Sequence, residues 1–444
     1  MTSHRRNVEL RLLLLAIAIV AFAHAYAVLN MGTGGSPQTS MMFGGGAVTA
    51  LAAHVVLRLR APYADPFILP TAVLLNGLGL VMIQRLDTAD RARAVRQGVD
   101  FAGAAFDAQA TWAVLGMVLM AVVLVLVHDH RQLQRYTYTS MVVGVTLLLM
   151  PLLPVVGKTI NGARLWVHIG PQSVQPAEFA KLFLAIFFAG FLVLKRETLA
   201  AVRIKRWGIG FPRARDLGPL LVFWTLSVGV LVFERDLGTS LLFFGLFVTV
   251  LYLATGQRTW LVLGATLFLS GATLAYLLFG HVRVRVQVWL DPFAYATTQG
   301  YQVVQSLYGL ASGGMFGSGL GGGYPTLVPF AKSDFILSAM GEELGLVGLT
   351  ALLLLYALLV QRGLRIANTV RDGFGRLLAG GLSVVIGLQT FIVAGGVTRL
   401  IPLTGLTTPF LAAGGSSLVA NWIALGMVLR ISDTANRMAE SRAG

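Results

Sequence analysis

The chain consists of long apolar runs joined by short polar connections. An apolar run of about 20 residues is long enough to cross the hydrocarbon core of a bilayer as an α-helix. Runs of this kind, bounded by charged residues, Pro or Gly, lie near 9–30, 43–59, 66–85, 111–127, 137–156, 177–194, 217–234, 238–255, 259–279, 335–361, 376–398 and 409–430. The pattern therefore predicts an all-α polytopic membrane protein with twelve transmembrane helices.

The composition agrees with this prediction and excludes other classes. The 444 residues are 56% hydrophobic and 12% charged, whereas about a quarter of a soluble globular chain is charged. The sequence contains no Cys, which excludes disulfides, thiolate metal sites and Cys nucleophiles. The net charge of +15 comes from basic residues spread between the apolar runs. This distribution indicates a membrane as the partner, and it does not indicate nucleic acid.

The distribution of Lys and Arg predicts the orientation of the chain. With a cytoplasmic N-terminus, most of the 34 Lys and Arg fall on the cytoplasmic side, as the positive-inside rule requires. The segment from Arg85 to Arg96 disagrees, although four acids of the same loop, Asp87, Asp90, Asp100 and Asp107, can mask its bases. We therefore expect both termini in the cytoplasm. The connections with unusual chemistry then fall on the extracytoplasmic side, at 157–175, 234–238, 280–334 and 398–408.

A lone aspartate, Asp334, directly precedes the tenth apolar run. It follows a large extracytoplasmic loop, about 280–334, with seven glycines within 313–323, which permit the backbone to move or to approach a ligand closely. Asp at the start of a helix is most often a cap, but a carboxylate at the mouth of a membrane-embedded cavity is also a candidate general base. We expect Glu342 or Glu343, about two turns further on, to form a structural ion pair.

The start of this large loop alternates basic residues with valines. His281, Arg283 and Arg285 occupy every second position of the stretch HVRVRVQVWLDP, and this period predicts a strand or an interfacial segment with a basic face. The bases can hold an anionic lipid head group. Alternatively, the segment is re-entrant and packs on its neighbours.

Charged residues also occur within or beside the predicted spans. In QPAEFAK, Glu178 and Lys181 share one face of the sixth helix. Charges at membrane depth normally face a protein interior or a water-filled cavity, so the pair is a functional candidate; a salt bridge that only locks helices is the alternative. In NGARLW, Arg164 can bind phosphate with its planar fork. Asp236, in the short turn of FERDLGTS, is either a further candidate or part of a solvated loop.

The connection before the last run, TRLIPLTGLTTPFLAAGGSS, contains several Pro and Gly residues. They break helicity at membrane depth, which is tolerated only where the backbone lines a cavity or is buried in protein. Arg399, Ser416 and Ser417 in this connection are therefore candidate ligand contacts.

These motifs resemble, in order, those of the SEDS family (shape, elongation, division and sporulation), in particular its RodA and FtsW types. The blocks that carry the resemblance are NGARLW with QPAEFAK, ERDLGTS, WLDP with YQVVQS, SGGMFGSGLGGG, SDFILSAMGEELG and PLTGLTTPFLAAGGSS. The resemblance covers residues 66–431. It implies a ten-helix catalytic core preceded by two extra transmembrane helices in 1–65 and followed by a short cytoplasmic tail, 432–444.

The resemblance also implies a function. Family members are peptidoglycan glycosyltransferases of the bacterial inner membrane that polymerise lipid II, the undecaprenyl-diphosphate-linked disaccharide-pentapeptide, together with a class B penicillin-binding protein. The short tail favours a RodA type of cell-wall elongation; an FtsW-type division enzyme and a lipid II flippase are the alternatives. Asp334 matches the essential aspartate of the family. Lys332 and Ser333 replace the usual His-Thr before it, and Ala412 and Ala413 stand where the family often has Ser-Tyr.

The expected reaction is an inverting glycosyl transfer with an extracytoplasmic active site. It requires a base for the 4-hydroxyl of the acceptor sugar and cations for the leaving diphosphate. We assign the first role to Asp334. The candidates for the second are Lys181, oriented by Glu178, together with Arg164 and Arg399. The remaining candidates for substrate binding are Ser416, Ser417, Asp236, Arg283 and Arg285. A divalent cation, Mg²⁺ or Mn²⁺, can assist at the diphosphate, although the sequence shows no dedicated ligand set.

Overall fold

The structure is a computed structural model that describes residues 2–32, 35–101, 103–153, 156–160, 163–170, 172–200, 204–206, 209–211 and 218–440. Its α-helices are α1 (Thr2–Asn30), α2 (Pro37–Arg60), α3 (Ile68–Gln97), α4 (Ala105–Leu126), α5 (Thr137–Leu149), α6 (Pro176–Ala200), α7 (Gly218–Phe233), α8 (Leu237–Thr255), α9 (Thr259–Leu278), α10 (Gly280–Leu290), α11 (Tyr301–Gly313), α12 (Ile336–Thr369), α13 (Gly373–Val397) and α14 (Gly415–Glu440). Its strands are β1 (Gly157–Ile160), β2 (Ala163–Ile169), β3 (Gln172–Val174), β4 (Ile204–Arg206) and β5 (Ile209–Phe211).

The predicted all-α polytopic fold is confirmed. Within the described residues, ten helices are long and apolar enough to cross a bilayer: α1, α2, α3, α4, α6, α8, α9, α12, α13 and α14. Two shorter helices, α5 with 13 residues and α7 with 16, occupy the positions of the fifth and seventh predicted spans. The chain is therefore a multi-pass membrane protein.

The chain divides into two compact units. The first comprises Met1–His128, Gln287–Arg362 and Gln389–Asp433, and the second comprises Asp129–Val286, Gly363–Leu388 and Thr434–Gly444. Both are assembled from segments that are distant in the sequence. The two helices that precede the predicted ten-helix core, α1 and α2, belong to the first unit.

Close helix packing in the first unit depends on small residues. A Cβ at Gly77 of α3 would lie 2.3 Å from a methyl group of Val20 in α1, and a Cβ at Gly116 of α4 would lie 2.5 Å from the Trp422 ring of α14. Trp422 in turn packs edge-on against Phe410, with 5.3 Å between ring centroids. Small residues let helix backbones approach closely, which is typical of packing in membranes.

An aromatic cluster forms the interior of the second unit. Phe188 of α6, Phe223 of α7 and Phe247 of α8 have their ring centroids 4.6–5.1 Å apart. Before α6, strands β1, β2 and β3 form an antiparallel sheet within the predicted connection 157–175.

The basic stretch at the start of the large loop is helical, so of the alternatives predicted for it the strand is wrong. In α10, Val282 is buried and packs with Ala275 of α9, while Leu237 and Phe279 lie against the two. The alternation of Val and Arg has a period of two residues, which favours a strand. Burial of Val282 against α9 stabilises the helix instead. The predicted loop 280–334 therefore contains two α-helices, α10 and α11.

The glycine-rich segment after α11 forms hydrogen bonds with α12 at a break in that helix. Gly345, with φ 70° and ψ −174°, interrupts that helix. Four backbone hydrogen bonds of 2.9–3.1 Å join the two segments: Ser318 N to Glu342 O, Gly319 N to Glu343 O, Leu346 N to Gly314 O and Val347 N to Met315 O. These bonds satisfy backbone groups that the break leaves without helical partners.

Glycine is required for this approach. A Cβ at Gly317, whose φ is +78°, would lie 2.2 Å from the Glu343 carbonyl oxygen. The close approach that the glycines predicted is thus made to the chain's own helix α12.

Candidate active site

Asp334 lies in the turn before α12, in the first unit, and is half-buried. A Cβ at Gly405, whose φ is +81°, would lie 3.8 Å from Asp334 Oδ2. The carboxylate therefore faces the irregular segment 398–414, which connects α13 to α14.

Side chains from three helices hold this irregular segment. Gln389 Nε2 of α13 donates to the Thr407 carbonyl at 2.8 Å, and Asn76 Nδ2 of α3 donates to the Phe410 carbonyl at 3.0 Å. The hydroxyl of Tyr356 in α12 donates to the Pro409 carbonyl. Helicity is broken between α13 and α14 as predicted, and the freed backbone carbonyls are satisfied within the protein.

The serines predicted as ligand contacts are buried in the first turn of α14. Ser417 Oγ lies 3.5 Å from Gln389 Nε2 and 3.4 Å from Asn421 Nδ2, so it belongs to the network that supports the segment. Sequence reasoning missed two neighbouring hydroxyls, those of Thr407 and Thr408. Both are buried and have no hydrogen-bond partner within the part of the chain that the structure describes.

Lys332 connects the Asp334 turn to the rest of the first unit. Its ammonium group lies 2.7 Å from Asp87 Oδ1 and 2.6 Å from Asp90 Oδ2 at the end of α3. Its carbonyl accepts a hydrogen bond from the Ala413 amide at 2.7 Å. Burial opposes the charge, but the two carboxylates outweigh it and raise the pKa of Lys332. The residue therefore stays charged and holds the Asp334 turn between α3 and the segment 398–414.

Arg399, which was predicted to bind diphosphate, contacts the protein backbone. Its Nε donates to the Trp289 carbonyl at 2.7 Å, and a second guanidinium nitrogen donates to the Leu290 carbonyl. The Trp289 indole donates back to the Arg399 carbonyl at 3.1 Å. These contacts satisfy the last carbonyls of α10, so Arg399 fits a structural role better than a phosphate contact.

The other predicted cations and acids belong to the second unit. Lys181 Nζ lies 2.6 Å from Glu178 Oε2, and both side chains are buried, at 1% and 6% exposure. The pair shares one face of α6, as their spacing predicted.

Arg164 in β2 is half-buried, and its Nε has no hydrogen-bond partner in the described ranges. Arg283 is exposed and donates to the Leu277 carbonyl at 2.9 Å. Asn161, three residues before Arg164 in the sequence, lies outside the described residues.

Asp236 begins α8 as its N-cap and accepts hydrogen bonds from the Thr239 amide at 2.9 Å and the Thr239 hydroxyl at 2.5 Å. Burial raises the pKa of Asp236, while the bonds from Thr239 and the charge of Arg285 oppose the shift and the charge of Glu178 adds to it. Asp236 is thus a buried cap within a charged cluster that includes Glu178 and Arg285. A solvated loop, the alternative interpretation, does not fit this burial.

Glu234 makes folding stability dependent on pH. Burial, together with the charge of Asp236, raises the pKa of Glu234 from 4.5 to about 8. Between these values the folded chain holds a proton that the unfolded chain releases, so stability falls as pH rises, by up to about 1.4 kcal/mol per pH unit. We expect Glu234→Gln to flatten the decline of the thermal unfolding midpoint between pH 5 and 8. The exposed Asp100→Asn is the control, and an unchanged slope in Glu234→Gln would contradict the assignment.

The fold and these clusters define a multi-pass membrane protein that encloses charged side chains among its helices. The chain belongs to the FtsW/RodA/SpoVE family of cell cycle proteins, whose family model matches residues 66–437.

Individual relatives specify the type. The chain is 49% identical over 440 residues to the peptidoglycan glycosyltransferase RodA of Mycobacterium tuberculosis, covering 99% of this chain and 92% of that protein. It is 33% identical to the probable peptidoglycan glycosyltransferase FtsW of Geobacter metallireducens, covering 83% and 94%. A solved peptidoglycan synthase complex, studied for the structural coordination of polymerization and crosslinking, contains a chain with a TM-score of 0.65 and 28% identity, covering 84% and 98%. The prediction of a SEDS-family glycosyltransferase of the RodA type is confirmed.

Proposed function

We propose that this protein polymerises lipid II into β-1,4-linked glycan strands during cell-wall elongation, together with a class B penicillin-binding protein. The observation that carries the proposal is the position of Asp334, whose carboxylate faces the irregular segment 398–414 and whose turn is held by Lys332. The similarity to a chain of a peptidoglycan synthase complex supports the partner.

In this mechanism, Asp334 is the general base. It takes the proton of the acceptor 4-hydroxyl while the hydroxyl oxygen attacks the anomeric carbon of the donor sugar, and the bond to diphosphate breaks. An α-linked donor and a β-linked product require inversion, which one base achieves without a covalent intermediate. Lys181, oriented by Glu178, and Arg164 are the proposed cations for the leaving diphosphate. Arg399 is not included because two of its donor groups bind backbone carbonyls.

We also propose an extracytoplasmic active site in the bacterial inner membrane, with both termini in the cytoplasm. The segment from Arg85 to Arg96 was the one exception to the charge rule. The ion pairs of Lys332 with Asp87 and Asp90 join that segment to the Asp334 turn. This contact supports the assignment of both segments to the same side of the membrane.

The test is formation of glycan chains from purified lipid II by the full chain with a matched class B penicillin-binding protein. Polymer supports the proposal. Absence of polymer, together with transfer of lipid II across vesicle membranes, would replace it with a flippase, and absence of both would favour a scaffold for the penicillin-binding protein. A parallel reaction tests the predicted divalent cation: glycan formation is measured after addition of a chelator and again after Mg²⁺ or Mn²⁺ is restored.

Loss of the Lys332 charge should weaken catalysis without unfolding the chain. We expect Lys332→Met to lower polymerisation about ten-fold, since the turn then loses both ion pairs, and Lys332→Arg to retain most of the activity. Arg93→Met removes an exposed charge from the same end of α3 and serves as the control. Equal activities of Lys332→Met and Arg93→Met would contradict a role of Lys332 in positioning Asp334.

A further inference from the structure

The last turn of α1 packs against the glycine-rich segment that follows α11. Asn30 Nδ2 donates to the Leu320 carbonyl at 2.9 Å. A Cβ at Gly321 would lie 3.1 Å from the Ala27 carbonyl oxygen and 3.0 Å from Met31 Cγ. A residue without a side chain at this position therefore lets the segment lie directly on the end of α1.

The contact with α1 is made at a tight turn, residues 319–322, which we call the glycine turn. The Gly322 amide donates to the Gly319 carbonyl at 2.9 Å. Gly321 has a φ of +85°, the left-handed conformation that a type II turn requires at its third residue. The Leu320 carbonyl takes no part in the turn's own hydrogen bond, and it accepts the bond from Asn30 instead. The side chain of Asn30 thus sets where the glycine turn lies relative to α1.

The end of α3 connects the glycine turn to the candidate active site. Arg85 donates to the carbonyl of Gly323, which directly follows the glycine turn, at 2.6 Å. Asp87, two residues further along α3, lies 2.7 Å from the ammonium group of Lys332 in the turn that carries Asp334. One end of one helix therefore holds both turns, and a displacement of the first is transmitted to the second.

The start of α1 is fixed by buried charges. Glu9 lies 2.5 Å from Arg6 and 2.6 Å from His54 of α2, and all three side chains are buried. Arg6 also donates to the Ala64 carbonyl, in the connection between α2 and α3. With 29 residues, α1 is about 43 Å long at the helical rise, which matches the thickness of about 40–45 Å of a bilayer with its head groups. A helix fixed at its start thus places Asn30 at a defined height at the opposite surface.

We propose that Asn30 is a positioning residue for glycosyl transfer, which acts through the glycine turn and the end of α3 on the turn that carries Asp334. The inference rests on the proposed function for the reaction in which Asp334 is the base. Without the bond from Asn30, the glycine turn moves more freely, and the Asp334 carboxylate is held less precisely against the acceptor hydroxyl. Helix α1, which lies outside the residues that match the family model, then contributes to the reaction.

The position of Asn30 separates this role from a contribution to overall stability. The residue ends α1 and is exposed. Hydrogen bonds at exposed helix ends open locally at a low cost in free energy, without unfolding of the whole chain. Loss of this bond should therefore lower the rate of the reaction more than it lowers the thermal unfolding midpoint.

The first test compares two asparagines of the same helix. Asn30→Leu keeps a side chain of similar size but removes the donor, and Asn7→Leu is the matched control because Asn7 is exposed at the other end of α1. Each full chain polymerises purified lipid II with the same class B penicillin-binding protein. We expect Asn30→Leu to lower kcat about five-fold with KM and the unfolding midpoint retained, and Asn7→Leu to change none of them. Equal kcat values of the two variants would overturn the proposal.

A disulfide can replace the hydrogen bond, because the native sequence contains no Cys. A Cβ at position 321 would lie 3.6 Å from Asn30 Cβ, within the range of about 3.5–4.5 Å found in disulfides. We expect the double variant Asn30→Cys with Gly321→Cys to keep the native kcat when oxidised and to lose about five-fold on reduction. The native chain and Asn30→Cys alone should not respond to the reductant. An inactive oxidised form with an active reduced form would overturn the proposal, since α1 and the glycine turn would then have to separate during turnover.

Hydrogen–deuterium exchange gives a readout without turnover. In nanodiscs, Asn30→Leu should raise the exchange of amides in the glycine turn and in 324–335, whereas Asn7→Leu should leave it as in the native chain. Failure of the native chain to polymerise lipid II would contradict the proposed function, while the exchange result still decides whether Asn30 holds the glycine turn. Native exchange in Asn30→Leu would overturn the proposal, as would a raised exchange with an unchanged kcat.

Discussion

Replacement of Asp334 by Asn is expected to lower the rate of glycan polymerisation by about 10²- to 10⁴-fold, the range that a general base contributes. The amide has nearly the size of the carboxylate, so the turn before α12 should keep its structure. It cannot, however, take the proton of the acceptor hydroxyl. The measurement compares glycan formation from purified lipid II by the native chain and the variant, each with the same class B penicillin-binding protein.

Two further variants make this result specific. Asp107 lies in the first turn of α4 and is exposed, so Asp107→Asn should leave polymerisation unchanged. Asp334→Glu keeps a base but moves it by one methylene, and we expect an activity between those of Asp334→Asn and the native chain. Full activity of a folded Asp334→Asn variant would exclude Asp334 as the base.

Breaking the ion pair between Arg85 and Glu343 is expected to have the largest effect on stability. Arg85 Nε lies 2.6 Å from Glu343 Oε1, and both side chains are almost fully buried. The pair also holds the glycine-rich segment, since Arg85 donates to the Gly323 carbonyl at 2.6 Å and Glu343 accepts from the Gly321 amide at 3.0 Å. Removing one partner leaves a buried charge without compensation, so Arg85→Met should lower the free energy of unfolding by about 3–5 kcal/mol.

Unfolding of the variants in detergent tests this expectation. The double variant Arg85→Met with Glu343→Met should recover part of the loss, because neither charge is then buried alone. Arg96→Met removes an exposed charge from the same helix and should change the free energy of unfolding by less than about 0.5 kcal/mol. Native stability of Arg85→Met, or a double variant as unstable as the sum of the two single ones, would contradict the assigned role of the pair.

The predicted ion pairs show how far sequence reasoning reaches. Lys181 with Glu178 could be predicted because two residues three positions apart share a helix face. An ion pair for Glu343 was also expected, and it is confirmed. Its partner Arg85 is 258 residues away, and nothing in the local sequence identifies such a partner. The same holds for Lys332, whose carboxylate partners lie on α3.

The sequence by itself determined the membrane helices, the family and Asp334 as the candidate base. A run of about 20 apolar residues suffices for a membrane span, and motifs are read locally. Only the tertiary structure decided the helical conformation of 280–290, where packing of Val282 on α9 overrides an alternating pattern. It also decided that the glycine-rich segment after α11 forms hydrogen bonds with α12 around its break at Gly345. Likewise, it decided that Arg399 donates to a carbonyl of α10. These features depend on contacts between segments far apart in the chain, and such contacts exist only once the helices have packed.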